Sequence, residues 1–176
     1  MNEIQTGRLQ MKALTERDVS SLFRIMSDSD NMRYWTFGPA RSIAQTRDRI
    51  ANIQHSWEAH GFGDWAVWIR EPHEMIGLCG LHYVQGMSEV NLGFVLDKSH
   101  WSKGYGTEAS VASLRFGFEC AAIDLVVGVT DPKNLASIGV LENCGMSYWR
   151  TTVRNGKLRN VYAIDRARWE GLNLHE

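Results

Sequence analysis

Between residues 64 and 97 the hydrophobic spacing of the chain drops to a period of two, and no other stretch limits the fold as much. Trp65, Val67 and Ile69 alternate along the chain with Ala66, Trp68 and Arg70, which marks a strand. Glu71-Pro72-His73-Glu74 then reads as a turn, Met75 to Val84 as a second strand, Gln85-Gly86-Met87-Ser88 as another turn, and Glu89 to Leu96 as a third strand. Three strands joined by short turns make an antiparallel meander. A chain that begins its sheet this way is not the opening of a doubly wound nucleotide-binding fold.

On either side the pattern is mixed. Residues 8–14 alternate like a strand. Thr15 caps a helix with Asp18 at its third position, and Leu22, Phe23, Ile25 and Met26 form the apolar side. Ser42 and Gln45 make a capping box for a second helix, whose Ile43, Ile50, Ile53 and Trp57 fall near helical spacing before Gly61 ends it. After the meander come a glycine loop at 101–106, a helix over about 107–121, and a continuous apolar strand from Ile123 to Thr130 that suits burial on both faces. Asn134 to Cys144 reads as a helix closed by Gly145. Strands over 146–153 and 157–165 are joined by Arg154-Asn155-Gly156, a strong hairpin signal. Strand, two helices, three strands, helix, strand, helix, hairpin is the order of an α+β domain with a mixed sheet and helices packed on it.

Composition removes several function classes. The 176 residues suit one domain, with 44% hydrophobic and 22% charged residues and a net charge of -1. No basic surplus points to nucleic acid, and the apolar runs are far too short to cross a bilayer. Cys79, Cys120 and Cys144 lie far apart without metal or disulfide spacing, so reduced buried thiols in a cytoplasmic protein are expected. His55 and His60 are five apart with no acidic partner in their pattern, and no metal is expected.

The chemistry is concentrated in the loop Lys103-Gly104-Tyr105-Gly106-Thr107. Its glycines let the backbone turn tightly and approach a ligand. Peptide N–H groups in the first turn of the following helix have no helical partner, and they converge at a positive helix end suited to a pyrophosphate. Lys103 adds a point charge. Gly104-Tyr-Gly106-Thr-Glu-Ala109 also fits the dinucleotide fingerprint. However, the acid about 20 residues on, Asp124, stands at the start of the next strand rather than its end.

Trp101-Ser-Lys-Gly-Tyr-Gly-Thr-Glu-Ala109 resembles the acetyl-CoA pyrophosphate loop of the GNAT superfamily of N-acetyltransferases, with the aromatic at 101 as in the ribosomal-protein N-terminal acetyltransferase branch. Arg8-Leu-Gln-Met, Met32-Arg33-Tyr34-Trp35, Asn134-Leu-Ala-Ser137 and Leu141-Glu-Asn-Cys-Gly145-Met146 resemble further pieces of that branch in the same order, over about residues 8 to 165. The resemblance implies a mostly antiparallel mixed sheet of about seven strands with helices on both faces, the chain 1–176 forming a single acetyltransferase domain. It implies acetyl-CoA as co-substrate, with the loop Lys103, Gly104, Tyr105, Gly106 and Thr107 on its pyrophosphate. The backbone of Phe94, Val95 and Leu96 would bond pantetheine like an added strand, helped by a kink at Gly93 and by Asn134. Tyr34 and Trp35 would line the acceptor pocket.

For catalysis, the family's usual Tyr acid falls on Leu141, which cannot donate, and Ser137 matches a replacement acid. The branch's frequent Glu falls on Asn91, with Glu89 two residues earlier, so Glu89, Asn91 or neither acts as base or water holder. His82 and His100 are further base candidates that read more simply as surface or loop histidines. The expected partner is an amine: a protein or peptide N-terminus, or a small molecule such as a polyamine or aminoglycoside. The expected assembly is a monomer or homodimer. A non-catalytic acyl-CoA-binding module is the alternative from another class, given Leu141 and Asn91.

Overall fold

The computed structural model describes residues 3–172 apart from Thr36 and Gln85. A short strand β1 (Ile4–Gln5) folds back on β2 (Leu9–Lys12), pairing Ile4 with Met11. Thr15 then opens a 3-10 turn, Glu16–Asp18, in which the Asp18 carboxylate accepts from the Thr15 N–H at 2.7 Å and its hydroxyl at 2.9 Å. Helix α1 (Val19–Ser27) follows and buries Leu22, Ile25 and Met26, each such burial stabilising the fold by about 1.5–3 kcal/mol.

Helix α2 (Ile43–His60) is capped by Ser42, whose Oγ accepts from the Gln45 N–H at 3.3 Å. The expected box is only half made. Gln45 Oε1 accepts from the N–H of Arg41, not Ser42, at 2.7 Å. Ile43 is exposed and Thr46 takes the inward place, while Gly61 ends the helix in a left-handed conformation at φ 75°.

The meander forms as the alternation implies: β3 (Asp64–Ile69), β4 (Glu74–Tyr83) and β5 (Val90–Leu96) pair antiparallel. Helix α3 (Tyr105–Glu119) leads to β6 (Leu125–Thr130), α4 (Leu135–Asn143), the hairpin β7 (Ser147–Arg154) and β8 (Lys157–Asp165), and a short α5 (Arg166–Gly171). Asn155 and Gly156 have φ of 48° and 71°, the pair of positive values that a two-residue primed turn requires.

Among the described residues these strands make one eight-stranded sheet in the order β1-β2-β3-β4-β5-β6-β8-β7. Among the described residues only the β5–β6 contact is parallel. The fold is the expected α+β arrangement, with β1 and α5 beyond the sequence reading. Helix α3 covers the face that carries Cys79, whose Sγ lies 3.5 Å from Ser113 Oγ. Met26 of α1 and Arg49 of α2 lie against Leu78 and His82 on the opposite face. No helix among the described residues is long and apolar enough to cross a membrane.

Candidate active site

Strands β5 and β6 pair at only two positions, Val90 with Val126 and Asn91 with Val127. Beyond them the strands part, and Leu92 to Leu96 leave one edge unpaired over about 13 Å at ~3.3 Å per residue. The Asp97 N–H bonds the Ile76 carbonyl at 2.7 Å. Since antiparallel ladders alternate, Val95 and Gly93 turn their peptide groups to β4, whereas Phe94 and Leu96 turn theirs to the gap. The Val95 peptide is therefore spent within the sheet. Gly93 makes no bulge against β4, because the β4–β5 register runs unbroken through Gly80 and Gly93.

The glycine loop stands at the open end of this gap. Gly104 is the N-cap of α3, left-handed at φ 79° and without a side-chain cap. The first intrahelical bond runs from the Glu108 N–H to the Gly104 carbonyl at 3.0 Å. The N–H groups of Tyr105, Gly106 and Thr107 thus have no helical partner and sit at the positive helix end. A Cβ built on Gly106 would project between two walls of the gap, 3.3 Å from Val140 Cγ2 and 3.8 Å from Leu96 Cδ1. Trp101 ties the loop to β5 by donating its indole N–H to the Leu96 carbonyl at 2.8 Å. Lys103 is exposed, and its carbonyl accepts from Arg8 Nη1 at 2.8 Å.

Helix α4 forms the other wall. Asn134 caps it, its Oδ1 accepting from the Ser137 N–H at 3.2 Å. Leu141, one turn past Ser137, is 1% exposed and packs on Gly128 of β6, where a Cβ would come within 2.5 Å of Leu141 Cδ2. Its place is filled by packing, as its side chain implies.

At the apex of the gap lies a polar chain. Asn91 Oδ1 accepts from the Val129 N–H at 3.1 Å, bridging the strands just past their last ladder pair. Asn91 Nδ2 is 3.3 Å from His82 Nε2, His82 Nδ1 is 2.9 Å from Asp64 Oδ1, and Asp64 Oδ2 is 3.2 Å from Arg49 Nη2. Asp64 is 4% exposed and Asn91 5%. Burial alone would raise the Asp64 carboxyl, yet His82 and Arg49 beside it hold it below its usual range. Gly93 is what admits the imidazole, since a Cβ there would lie 2.5 Å from His82 Cε1.

His82 therefore sits on a central strand and half-buried, contrary to the surface placement expected for it. It lines a cavity with Trp35, Arg49, Gly93 and Phe94, and the Arg49 guanidinium lies 4.9 Å from the Trp35 ring centroid. The structure brings Trp35 to the apex but Tyr34 stays in the preceding turn. Glu89 lies just outside β5, its carboxylate held by Arg150 at 2.7 Å. His100 stands away from the apex, its Nε2 3.7 Å from Glu74.

Cys120 is exposed rather than buried, while burial pushes the Cys79 and Cys144 thiols up to about 12. Among the described residues no group of three or more His, Cys, Asp or Glu side chains could hold a metal.

The family model for the acetyltransferase (GNAT) domain matches residues 8–147. The Bacillus subtilis protein YkkB is 28% identical over 163 residues, covering 91% of this chain and 94% of that one. The crystal structure of a GNAT-family acetyltransferase from Bacillus anthracis superposes with a TM-score of 0.81 at 23% identity, covering 94% and 99% of the two chains. RimL, a ribosomal L7/L12 alpha-N-protein acetyltransferase solved with coenzyme A, superposes at 0.78 and 17% identity, over 93% and 98%.

Proposed function

Because the chain belongs to the GNAT acetyltransferase family, and is thus an acetyl-CoA-dependent N-acetyltransferase, we propose that it acetylates the α-amine of a protein or peptide N-terminus. The observation that carries this reading is the apex of the β5–β6 gap. Asn91 rather than a carboxylate stands there and bonds the Val129 N–H. The nearest acid along the strand, Glu89, is engaged by Arg150. Neither offers a free carboxylate base, and an imidazole such as that of His82 beside Asn91 is far better matched to an α-amine than to a lysine amine with a pKa near 10.4. An α-amine, at about 7.7–8.0, is already about a tenth neutral at pH 7. The likeness of fold to RimL and the order of the sequence motifs agree with that choice, and the net charge of -1 supplies no strong field to gather polycations.

The residues fit acetyl-CoA in one orientation. The N–H groups of Tyr105, Gly106 and Thr107, together with Lys103 and Gly104, receive the pyrophosphate. Phe94 offers its peptide groups and Leu96 its N–H to the pantetheine arm along the unpaired edge, the Leu96 carbonyl being held by Trp101, with Val95 supporting them from the ladder. Asn134 offers its amide from α4 while its oxygen caps the helix. The thioester then lies toward the apex, with Ser137 on the α4 side as proton donor to the leaving sulfur. Asn91 holds the apex together, and Trp35, with Tyr34 behind it, shapes the acceptor side.

An acceptor screen tests the reading. A peptide with a free N-terminus should release CoA thiol, and the same peptide with a blocked N-terminus and a free lysine should not. Faster turnover of spermidine or an aminoglycoside than of every free-N-terminus peptide would overturn the acceptor class and leave acetyl transfer intact.

A further inference from the structure

The geometry points to His82 as the group that takes the proton from the acceptor amine, with Asp64 and Asn91 fixing the tautomer in which it can do so. The hydrogen bonds assign that tautomer in three steps. A backbone N–H, that of Val129, is only a donor, so the Asn91 side-chain atom bonded to it at 3.1 Å is the carbonyl oxygen. The Asn91 NH2 group then faces His82 Nε2 at 3.3 Å. An NH2 group is only a donor, so Nε2 carries the lone pair and Nδ1 the proton, which goes to Asp64 Oδ1 at 2.9 Å. A base within reach of the reacting centre, oriented by a carboxylate on its other nitrogen, is the arrangement that proton abstraction requires.

Placement agrees with that role. The imidazole rests over Gly93, the only residue type that leaves room for it. It lines the cavity that Trp35 and Phe94 also line, and its Nε2 faces the Asn91 amide that bridges β5 to Val129 of β6. Its side chain keeps 24% exposure while that of Asp64 keeps 5%, so the base is reachable and its orienting acid is not. The charged groups facing it are Asp64 from β3 and Arg49 from α2. Met26 from α1 and Asn91 and Gly93 from β5 bring no charge.

The proton balance closes without a further reagent. The acceptor arrives as R–NH3+, and its N–H displaces the long contact from Asn91. His82 Nε2 takes one proton, leaving R–NH2. The nitrogen lone pair attacks the thioester carbonyl carbon, a C–N bond forms, and the C–S bond breaks with its electrons leaving on sulfur. Ser137 gives its hydroxyl proton to that sulfur to form CoA–SH and is reprotonated by the second nitrogen proton, and the first leaves His82 for water. One proton is released per amide formed.

This inference rests on acetyl transfer to an amine and not on which amine, so the acceptor for its test is whichever of a free-N-terminus peptide, spermidine or kanamycin reacts fastest. His82→Gln and Asp64→Asn are compared with the parent enzyme for kcat/KM against pH, for the acetyl-CoA thermal shift and for Tm. We expect the acetyl-CoA shift to persist, and kcat/KM to fall at least tenfold below pH 7, within reach of the 10²–10⁴-fold range of general base catalysis. The acidic limb should move up toward the acceptor amine's own pKa, so that the deficit narrows at alkaline pH. Should Asp64→Asn lose its fold, His82→Gln decides alone. A second measurement needs no acceptor: the ring-nitrogen NMR signals of His82 should show Nδ1 protonated and Nε2 bare. An Nε2–H tautomer, or a His82→Gln enzyme within about threefold of the parent with an unmoved limb, overturns the assignment.

Discussion

Arg8 and Glu108, a hundred residues apart in the chain, are joined twice: Arg8 Nε meets Oε2 at 2.7 Å and the Arg8 N–H meets Oε1 at 2.9 Å. The same guanidinium reaches the Lys103 carbonyl at 2.8 Å and stacks 4.5 Å from the Tyr105 ring centroid. The residue that leads into β2 is thereby tied to the glycine loop. The Arg8 side chain is half exposed, so the ion pair itself contributes little to stability. Its effect is on loop position. Arg8→Ala should weaken acetyl-CoA binding severalfold in a titration while kcat at saturation changes less than twofold.

Glu108, Asp97 and Asp64 set the acid limit of the fold. Burial pushes each carboxyl up, but Thr6 and Arg8 at Glu108, Ser99 and Arg24 at Asp97, and His82 and Arg49 at Asp64 outweigh it and hold all three below their usual values. A depressed folded-state pKa adds stability above the unfolded value, near 3.9 for Asp and 4.3 for Glu, and that stability is lost as pH falls through the folded value. Tm should therefore be insensitive to these groups above about pH 5 and drop below about pH 4. Glu108→Gln should start lower at neutral pH and fall less steeply on acidification.

Gly106 tests the loop directly. Gly106→Val should remove the acetyl-CoA thermal shift, which for the parent at 100 times Kd corresponds to about 2.7 kcal/mol. Because the added Cβ also meets Val140, Gly106→Val/Val140→Ala should recover the ligand-free Tm without recovering the shift. A full shift in either variant would move the pyrophosphate elsewhere.

Ser137→Ala should lower kcat by about 10²-fold or more, the lower part of the general acid range, with acetyl-CoA affinity nearly unchanged. A loss under about threefold would leave Ser137 as a packing residue and water as the acid. Leu141 gives the contrasting result. Leu141→Ala should cost about 2–5 kcal/mol of stability through the void left against Gly128, read as a lower denaturation midpoint.

Thiol chemistry separates the cysteines. With Cys79 and Cys144 buried and shifted to about 12 and Cys120 exposed, a disulfide reagent at pH 8 should titrate one fast thiol in the native protein and three after denaturation. Cys120→Ser should abolish the fast phase, which also clears the background of any assay that follows CoA thiol release.

Local chemistry was legible wherever one residue decides its own backbone. Asn155-Gly156 gave the hairpin, Gly61 and Gly145 the helix ends at φ 75° and 82°, and Asn134 the cap. Elements too short to show a period were not: β1 spans two residues and α5 six, although Asp165 caps α5 through a 2.8 Å bond from the Arg168 N–H. The glycine loop and the helix start after it were visible because they are contiguous in the chain. His82 and Asn91 were named singly, but their meeting with Asp64 was invisible for the opposite reason. Residues 64, 82 and 91 meet only through the registers that set Asp64 beside Gly80 and His82 beside Asn91, and no spacing along the chain encodes that meeting.

The gap beyond Val90 and Asn91 has a mechanical side. Strands β1 to β5 and strands β6 to β8 are two plates that share a hinge two ladder pairs long, pinned on one side by the Asn91–Val129 bond. A pantetheine arm bonded to the free edge would act as a strut between the plates. Amide hydrogen exchange along Leu92 to Leu96 and Gly128 to Thr130 should then slow together when acetyl-CoA is added. Loss of the acetyl group would leave the strut standing, so the stiffness of the molecule should follow the coenzyme rather than its cargo.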